Sequence, residues 1–162
     1  MGDLFTFLAD HGISFERHDH PPVYTVEDVK NLVPDLPATK TKNLFFRDNA
    51  GKRHFLVIVE DEKRVDMKSM PKALDSSRVS FGSADRLKKY LGIEPGAVSL
   101  FAVFNDPDHA VEVVIDEALW RSDAFQFHPL INTATLVISK ENVERFLKAT
   151  GHEPKIVEVP GL

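Results

Sequence analysis

Thr39-Lys40-Thr41-Lys42-Asn43-Leu44-Phe45-Phe46-Arg47-Asp48-Asn49-Ala50-Gly51 is the stretch from which the architecture of this chain can be worked out. Leu44-Phe45-Phe46 reads as a short buried strand. Asp48 to Gly51 is turn chemistry, since Asp, Asn and Gly tolerate the tight backbone of a reversal. Phe55-Leu56-Val57-Ile58-Val59 reads as the return strand. The whole is a hairpin entered through a Lys-Asn pair. That entry puts the ammonium of Lys42 and the carboxamide of Asn43 at the lip of a sheet. Such groups can hold a phosphate, a carbonyl or a sugar hydroxyl, or they can be solvated charges at a strand end.

Outward from the hairpin, helices and strands are marked by their caps and stops. Asp3 to Asp10 reads as a helix closed near Gly12. Ile13 to Arg17 alternates like a strand. Thr25 caps a helix that places Val26, Val29 and Leu32 on one face, with Asp28 completing a variant capping box. Asp66 to Leu74 reads as a short helix kinked or split at Pro71. Ser83 caps a helix that Gly92 stops, and Glu94-Pro95-Gly96-Ala97 forms a turn. Strands are predicted at Ser99 to Phe104, Val111 to Asp116 and Asn132 to Ile138. Ser139 caps a final helix to Thr150, and Glu153 to Leu162 reads as a tail. With no linker or internal repeat, residues 1–162 read as one domain of the α+β class. The expected core is a mixed, largely antiparallel, curved sheet surrounded by helices.

Composition narrows the function. The chain has 162 residues, 43% apolar and 28% charged, which is ordinary for a globular protein. No apolar run approaches the ~18 residues of a membrane span, so no membrane partner is expected. The start lacks a basic flank and apolar stretch, which makes a cytoplasmic location the expectation. With no cysteine, disulfides, thiolate catalysis and cysteine-ligated zinc are excluded. A net charge of −5 opposes a general nucleic-acid binder, DNA included. Basic residues are local: Lys40, Lys42, Arg47, Lys52 and Arg53, then Arg86, Lys88 and Lys89.

Four further segments carry candidate chemistry. His18-Asp19-His20 has the look of a metal pair, but no helical His-x-x-x-His spacing supports it, so no metal is expected. No Gly-x-Ser-x-Gly occurs, and Ser83 is better read as a helix cap than as a nucleophile. Gly92-Ile93-Glu94-Pro95-Gly96-Ala97-Val98-Ser99 either connects a helix to a strand or presents successive backbone N–H groups to a ligand. Asp106 suits shaping the turn before Pro107 more than catalysis. His128, between Phe127 and Pro129, is either a satisfied core histidine or a pocket residue on the rigid base of the strand carrying Thr133 and Thr135.

Taken together, HDHPPVYTVED, TKNLFFRD, LGIEPGAVSLFAVFND and FHPLINTATLVIS resemble one family over about Gly2 to Pro154. These are the free-standing, YbaK-like aminoacyl-tRNA deacylases, related to the editing domain inserted in bacterial prolyl-tRNA synthetases. The branch most resembled clears alanine from mischarged proline tRNA. The resemblance implies the same fold and hydrolysis of the ester between a wrong amino acid and tRNA, without a metal or other cofactor. It implies the tRNA acceptor end as partner, with prolyl-tRNA synthetase as a further one. It implies that Lys42 anchors the terminal nucleotide or carbonyl with Asn43 in support. Backbone N–H groups of Gly96, Ala97, Val98 and Ser99 would meet the oxyanion, and His128 would contact the adenosine or the aminoacyl group. The selectivity pocket is expected from Val26, Val29, Leu32, Phe45 and His128. Many relatives read Thr-Pro-Phe-Gly where this chain has Ser99-Leu100-Phe101-Ala102, a departure that bears on the loop's shape. Removal of another small residue such as cysteine or serine, or a non-catalytic module that binds tRNA ends or a synthetase, are the rival readings.

Overall fold

The computed structural model describes residues 3–22, 25, 27–28, 31 and 36–162. In chain order they form α1 (Leu4–Asp10), β1 (Glu16–Asp19), β2 (Thr39–Asp48), β3 (His54–Glu60), α2 (Met70–Leu74), β4 (Val79–Phe81) and α3 (Ala84–Leu91). Two 3-10 turns follow, Pro95–Ala97 and Leu100–Asn105, then β5 (Val111–Asp116), α4 (Glu117–Trp120), β6 (Ala124–Phe127), β7 (Ala134–Ser139), α5 (Lys140–Thr150) and β8 (Lys155–Val157). Helix N-termini are built by side chains, at Ser83 and Ser139 as the sequence predicts, and at Asp3, which precedes α1 rather than beginning it. Asp3, Ser83 and Ser139 accept hydrogen bonds from the backbone N–H of Thr6, Arg86 and Asn142. Thr25 Oγ1 likewise accepts from Asp28 N at 3.0 Å. Pro71 begins α2 rather than kinking it, because the first turn has no N–H to lose.

The strands form one eight-stranded sheet in the order β1-β7-β6-β2-β3-β5-β8, with β4 pairing β2. Four pairings are antiparallel and three parallel, the mixed sheet expected. β2 is its junction. Its first residues, Thr39 and Lys40, run parallel to Phe125 and Gln126 of β6, its length pairs with β3, and its last residues pair with β4. Alternation along β2 divides the interior into two cores. Phe45, with Leu56, Ile58, Val113, Phe125 and Phe127, joins the larger one under α1, α3 and α5. Phe46, with Phe55, Val57, Val59 and Val114, packs on the opposite face against Met70 and Leu74 of α2. At Gly82 the larger core leaves no room for a side chain, since a Cβ there would lie 2.4 Å from the Phe45 ring.

Three expectations change. β2 is ten residues long, so Lys40, Lys42 and Asn43 lie inside a strand rather than in a loop before one. Ser99 to Phe104 is not a strand but a buried 3-10 helix, Leu100–Asn105, capped by Ser99 Oγ on Phe101 N. A continuous apolar run has no period that separates the two. The C-terminal residues are no tail. β8 runs parallel to β5, Val159 N donates to Asp116 Oδ1 at 3.0 Å, and Gly161 bridges to Val65.

Asp106 is structural, as its position before Pro107 suggests. It is 4% exposed. Its carboxylate accepts from Ala110 N, Val111 N and His152 Nε2, each at 2.9 Å. Burial pushes its pKa up, but the His152 bond and the two backbone bonds outweigh that and hold it below 3.8. A depressed folded pKa means stability that is present above the unfolded value and lost as pH falls through the folded one. Asp106→Ala leaves three donors unpaired and is expected to cost about 2–4 kcal/mol near neutrality. Urea unfolding of both proteins near neutrality and below pH 3.8 checks this. The gap should narrow in acid, and a constant gap would contradict the assignment.

Candidate active site

The register of β1, β7, β6 and β2 brings a row of polar residues onto one face of the sheet. His18 pairs with Thr135, Gln126 with Val137, and Lys40 with Gln126. Partners across a ladder share a face and alternate residues return to it. Lys40, Lys42, Gln126, Thr135 and His18 therefore project to the same side. His128 follows directly after β6, and its Nδ1–H donates to Ala134 O at 3.0 Å. The β2–β6 ladder itself ends at Lys40 and Gln126, two residues before Lys42 and His128.

Around His128 the imidazoles are fixed by hydrogen bonds. His20 Nδ1–H donates to Pro21 O at 2.8 Å, so its Nε2 accepts from Thr135 Oγ1, also at 2.8 Å. The His20 and His128 rings meet edge to face, 6.1 Å apart. Burial pushes the His128 pKa below its ordinary 6.5, the bond to Ala134 O opposes this, and His20 adds to the lowering. The ring is thus neutral at physiological pH, with its hydrogen on Nδ1 and a lone pair on Nε2. Such a nitrogen can accept a hydrogen bond or a proton. His18 Nε2 is buried and has no hydrogen-bond partner among the described residues. In the sequence His18 and His20 read as a weak metal pair or as structural loop histidines beside Pro21. The signal missed was their two-residue spacing, which aims both at Thr135. Among the described residues no cluster of three His, Asp or Glu side chains could hold a metal.

Lys42 is half-buried, and its Nζ donates to Lys63 O beyond the end of β3. Burial lowers its pKa from 10.5, Asp61 pulls it back up and Arg64 pushes it down. Lys63 is itself held, its Nζ lying 2.8 Å from the buried Asp116 carboxylate. The ammonium is therefore placed by a carbonyl on an anchored turn and is not a freely swinging surface charge.

Asn43 is one residue on, so it points through the other face. Its Oδ1 accepts from Leu100 N at 2.9 Å and its Nδ2 donates to Thr41 Oγ1 at 3.3 Å. The structure thus brings Asn43 against Leu100, next to the loop of Gly96 to Ser99, and turns Lys42 to the sheet face that carries Gln126, Thr135 and His18. It does not bring the two side chains together on one face. In the loop, Ala97 N–H is already spent on Glu94 O at 3.0 Å, and Ser99 is fully buried. Gly96 is exposed and no atom lies within 4 Å of where its Cβ would stand, so this turn does not require glycine. Phe45 is core, 3% exposed and stacked 5.7 Å from His54, on the face away from Lys42. It does not share a wall with His128. Val26, Val29 and Leu32 lie outside the described residues.

Comparison with known proteins agrees with the fold and names the chemistry. Residues 20–146 match the aminoacyl-tRNA editing domain. The chain belongs to that family. Its reaction is hydrolysis of the ester that joins an amino acid to tRNA, so the chain is an aminoacyl-tRNA deacylase. It is 39% identical to the prolyl-tRNA editing protein ProX of Acetoanaerobium sticklandii, over 94% of this chain and 93% of that one. It is 32% identical to the prolyl-tRNA synthetase associated domain-containing protein 1 of Bos taurus, over 93% and 90%. The crystal structure of a candidate trans-editing enzyme for prolyl-tRNA synthetase shares the fold with a TM-score of 0.65 at 15% identity, covering 93% of this chain and 91% of that one. No helix among the described residues is long and apolar enough to cross a membrane.

The opposite faces of Lys42 and Asn43 generate a prediction. Lys42→Ala should keep a melting temperature close to that of the parent and lose about a hundredfold in deacylation, because an electrostatic anchor is removed and only the carbonyl of half-exposed Lys63 loses a donor. Asn43→Ala should lose both, since Leu100 N is left without its acceptor at a cost of about 1–3 kcal/mol. Measured activities and thermal melts of the two variants test this. A Lys42→Ala protein that works at the parental rate would remove the anchor role.

Proposed function

We propose that this chain is a trans-editing enzyme that removes alanine from mischarged proline tRNA and spares prolyl-tRNA. The observation that carries the reading is the 39% identity to a prolyl-tRNA editing protein along nearly the full length of both chains. The physical need fits. A synthetase pocket shaped for proline rejects the smaller alanine poorly, because missing methylenes are worth only about 1–3 kcal/mol. A second, smaller site excludes proline by size and accepts alanine.

In this reading water attacks the ester carbonyl, the carbonyl oxygen becomes an oxyanion, and collapse expels the ribose hydroxyl. No protein nucleophile is needed, so positioning and charge stabilisation supply the rate. Lys42, held against Lys63 O, anchors the terminal nucleotide or the carbonyl. His128 Nε2 offers a lone pair to a ribose hydroxyl or to the aminoacyl group. Asn43 acts through the loop, fixing Leu100 N and so the backbone of Gly96, Val98 and Ser99 that would face the oxyanion. The acceptor end of tRNA is the partner at this site, and prolyl-tRNA synthetase is proposed as a second one, in the cytoplasm.

The test is deacylation of a panel carrying alanine, cysteine, serine and proline on proline tRNA. Alanine should be released fastest and proline spared. Preferential release of cysteine or serine would reassign the substrate. An intact alanyl ester at enzyme excess would leave a binding module. EDTA should not change the rate, and loss of activity restored by a divalent ion would overturn the metal-free mechanism.

The pH profile gives an independent check. His128 acts as the neutral ring, and its pKa lies below 6.5. The rate should therefore hold through pH 6.5 and fall only at lower pH, as the ring gains its proton. His128→Asn should be slower and should lack that acid limb. A limb that persists in the variant would move the titration to another group.

A further inference from the structure

At the far end of the β2–β3 hairpin, about 17 Å along the strand from Lys42 at ~3.4 Å per residue, a second cationic site stands apart from the row of His128. A cleft of about 400 Å3 is lined by Gly51, Ser83, Asp85, Arg86, Lys89 and Tyr90. We propose that the Gly51 edge of this cleft binds a phosphate group, held between the guanidinium groups of Arg86, which lines the cleft, and Arg47, which reaches Gly51 from beside it.

The turn residue Gly51 makes the convergence possible. It has φ +71°, and a Cβ there would lie 2.8 Å from Arg86 Nη2 and 3.2 Å from Arg47 Nη2. The two terminal nitrogens are thus within about 6 Å of each other, a span that one phosphate can bridge. Both arginines are half-buried, and among the described residues neither forms an ion pair. Arg47 is held by the carbonyls of Asp48 and Asn49 at 3.2 and 3.1 Å. Arg86 Nη1 donates to Gly51 O at 3.1 Å and to His54 Nε2 at 2.9 Å. A guanidinium only donates, so His54 is the acceptor and is neutral. It is 1% exposed, wedged between Phe45 and Tyr90, and gives Arg86 a rigid back support without a countercharge. Two acids are near. Asp85 is exposed on the first turn of α3 and lines the cleft, and Asp48 keeps its charge while its Oδ1 accepts from the N–H groups of Lys52 and Arg53 at 2.8 and 3.0 Å, but among the described residues neither forms an ion pair with Arg47 or Arg86. Two guanidinium groups this close without an ion-paired acid repel, and an anion between them relieves that repulsion. Lys89, on the rim, adds a third cation. Planar, multi-donor recognition of this kind matches the oxygens of a phosphate group.

The phosphate can belong to an RNA strand or to a free phosphate compound, and two arms of one experiment separate them. Inorganic phosphate is titrated into the full-length protein by calorimetry at fixed ionic strength. Uncharged proline tRNA is titrated by fluorescence anisotropy over a range of salt. Both are repeated with Arg47→Gln, Arg86→Gln, Lys89→Gln and the Arg47→Gln/Arg86→Gln double variant. The parent should bind inorganic phosphate and each arginine variant should bind it about tenfold more weakly. If the source is RNA, tRNA affinity should also fall about tenfold and the salt slope should drop by about one per arginine. Unchanged tRNA affinity with lost phosphate binding assigns a free phosphate compound. Arg86 also braces His54, so its variant can lose the fold. Arg47→Gln and Lys89→Gln leave that support intact and keep the test decisive. Equal binding of both probes by the parent and the double variant, or no binding by the parent, overturns the proposal. None of these readouts depends on ester hydrolysis, so a failed deacylase reading and a failed phosphate site are told apart.

Discussion

The two-residue period of β2 is the constraint on which both the packing and the site depend. Among the described residues β2 is the strand that pairs with both β6 and β3, so its register links the β1-β7-β6 side of the sheet to the β3-β5-β8 side. A slip of one residue would exchange Phe45 for Phe46 between the two cores and turn Lys42 toward the Leu100 loop. Burial on both faces of its C-terminal half makes such a slip very costly, since Phe45 and Phe46 each fill a different core. The apolar half of the strand therefore orients the polar half, and the chemistry inherits its precision from the packing.

That polar half is itself fully engaged. Thr41 Oγ1 donates to Gln126 O at 2.6 Å, and Gln126 Nε2 donates to Ala38 O at 2.8 Å. Asn43 ties to Leu100, and Lys42 to Lys63. Each side chain meets the backbone of a different segment, so the start of β2 acts as a knot between β6, the 3-10 helix and the turn after β3. Half-buried polar groups are costly when unpaired and stiffening when paired. The Lys63–Asp116 pair carries the connection further, because Asp116 also accepts from Val159 N. The last residues of the chain thus help to place the lysine at the start of β2, far from them in sequence.

Much of this was legible in the sequence wherever a local rule sufficed. Thr25, Ser83 and Ser139 act as caps, and Gly92 and Gly151 take left-handed conformations at helix ends, φ +67° and +78°. The hairpin turn at Asp48 to Gly51 was equally plain. What local rules could not reach depended on partners distant in sequence. β6 is four residues, Ala-Phe-Gln-Phe, and is defined only by lying between β2 and β7. Lys155–Val157 reads as a tail until β5 supplies its ladder. Leu100 to Val103 are buried without a break, so no period could reveal the helical turn. At the candidate site, Lys42, Asn43 and His128 stood out by type and motif. Their division between two faces follows from β2 starting at Thr39 rather than at Leu44, which carries the strand's alternation through Lys42 and Asn43.

The charge distribution ties these parts to function. The chain is acidic overall, −5, so its surface as a whole repels an RNA strand. Attraction must come from fixed local cations. Lys42 is one, lowered in pKa by burial and held by a carbonyl. Arg47 and Arg86 are two more, converging over Gly51 at the other end of the same strand. A nucleic-acid ligand drawn only to such points makes few phosphate contacts, and the salt dependence and tightness of binding both scale with that number. Few contacts also mean fast release. An editing enzyme that works on tRNA already freed from a synthetase gains from letting go of the corrected product quickly, and an acidic body with a few rigid cations meets that requirement without any moving part.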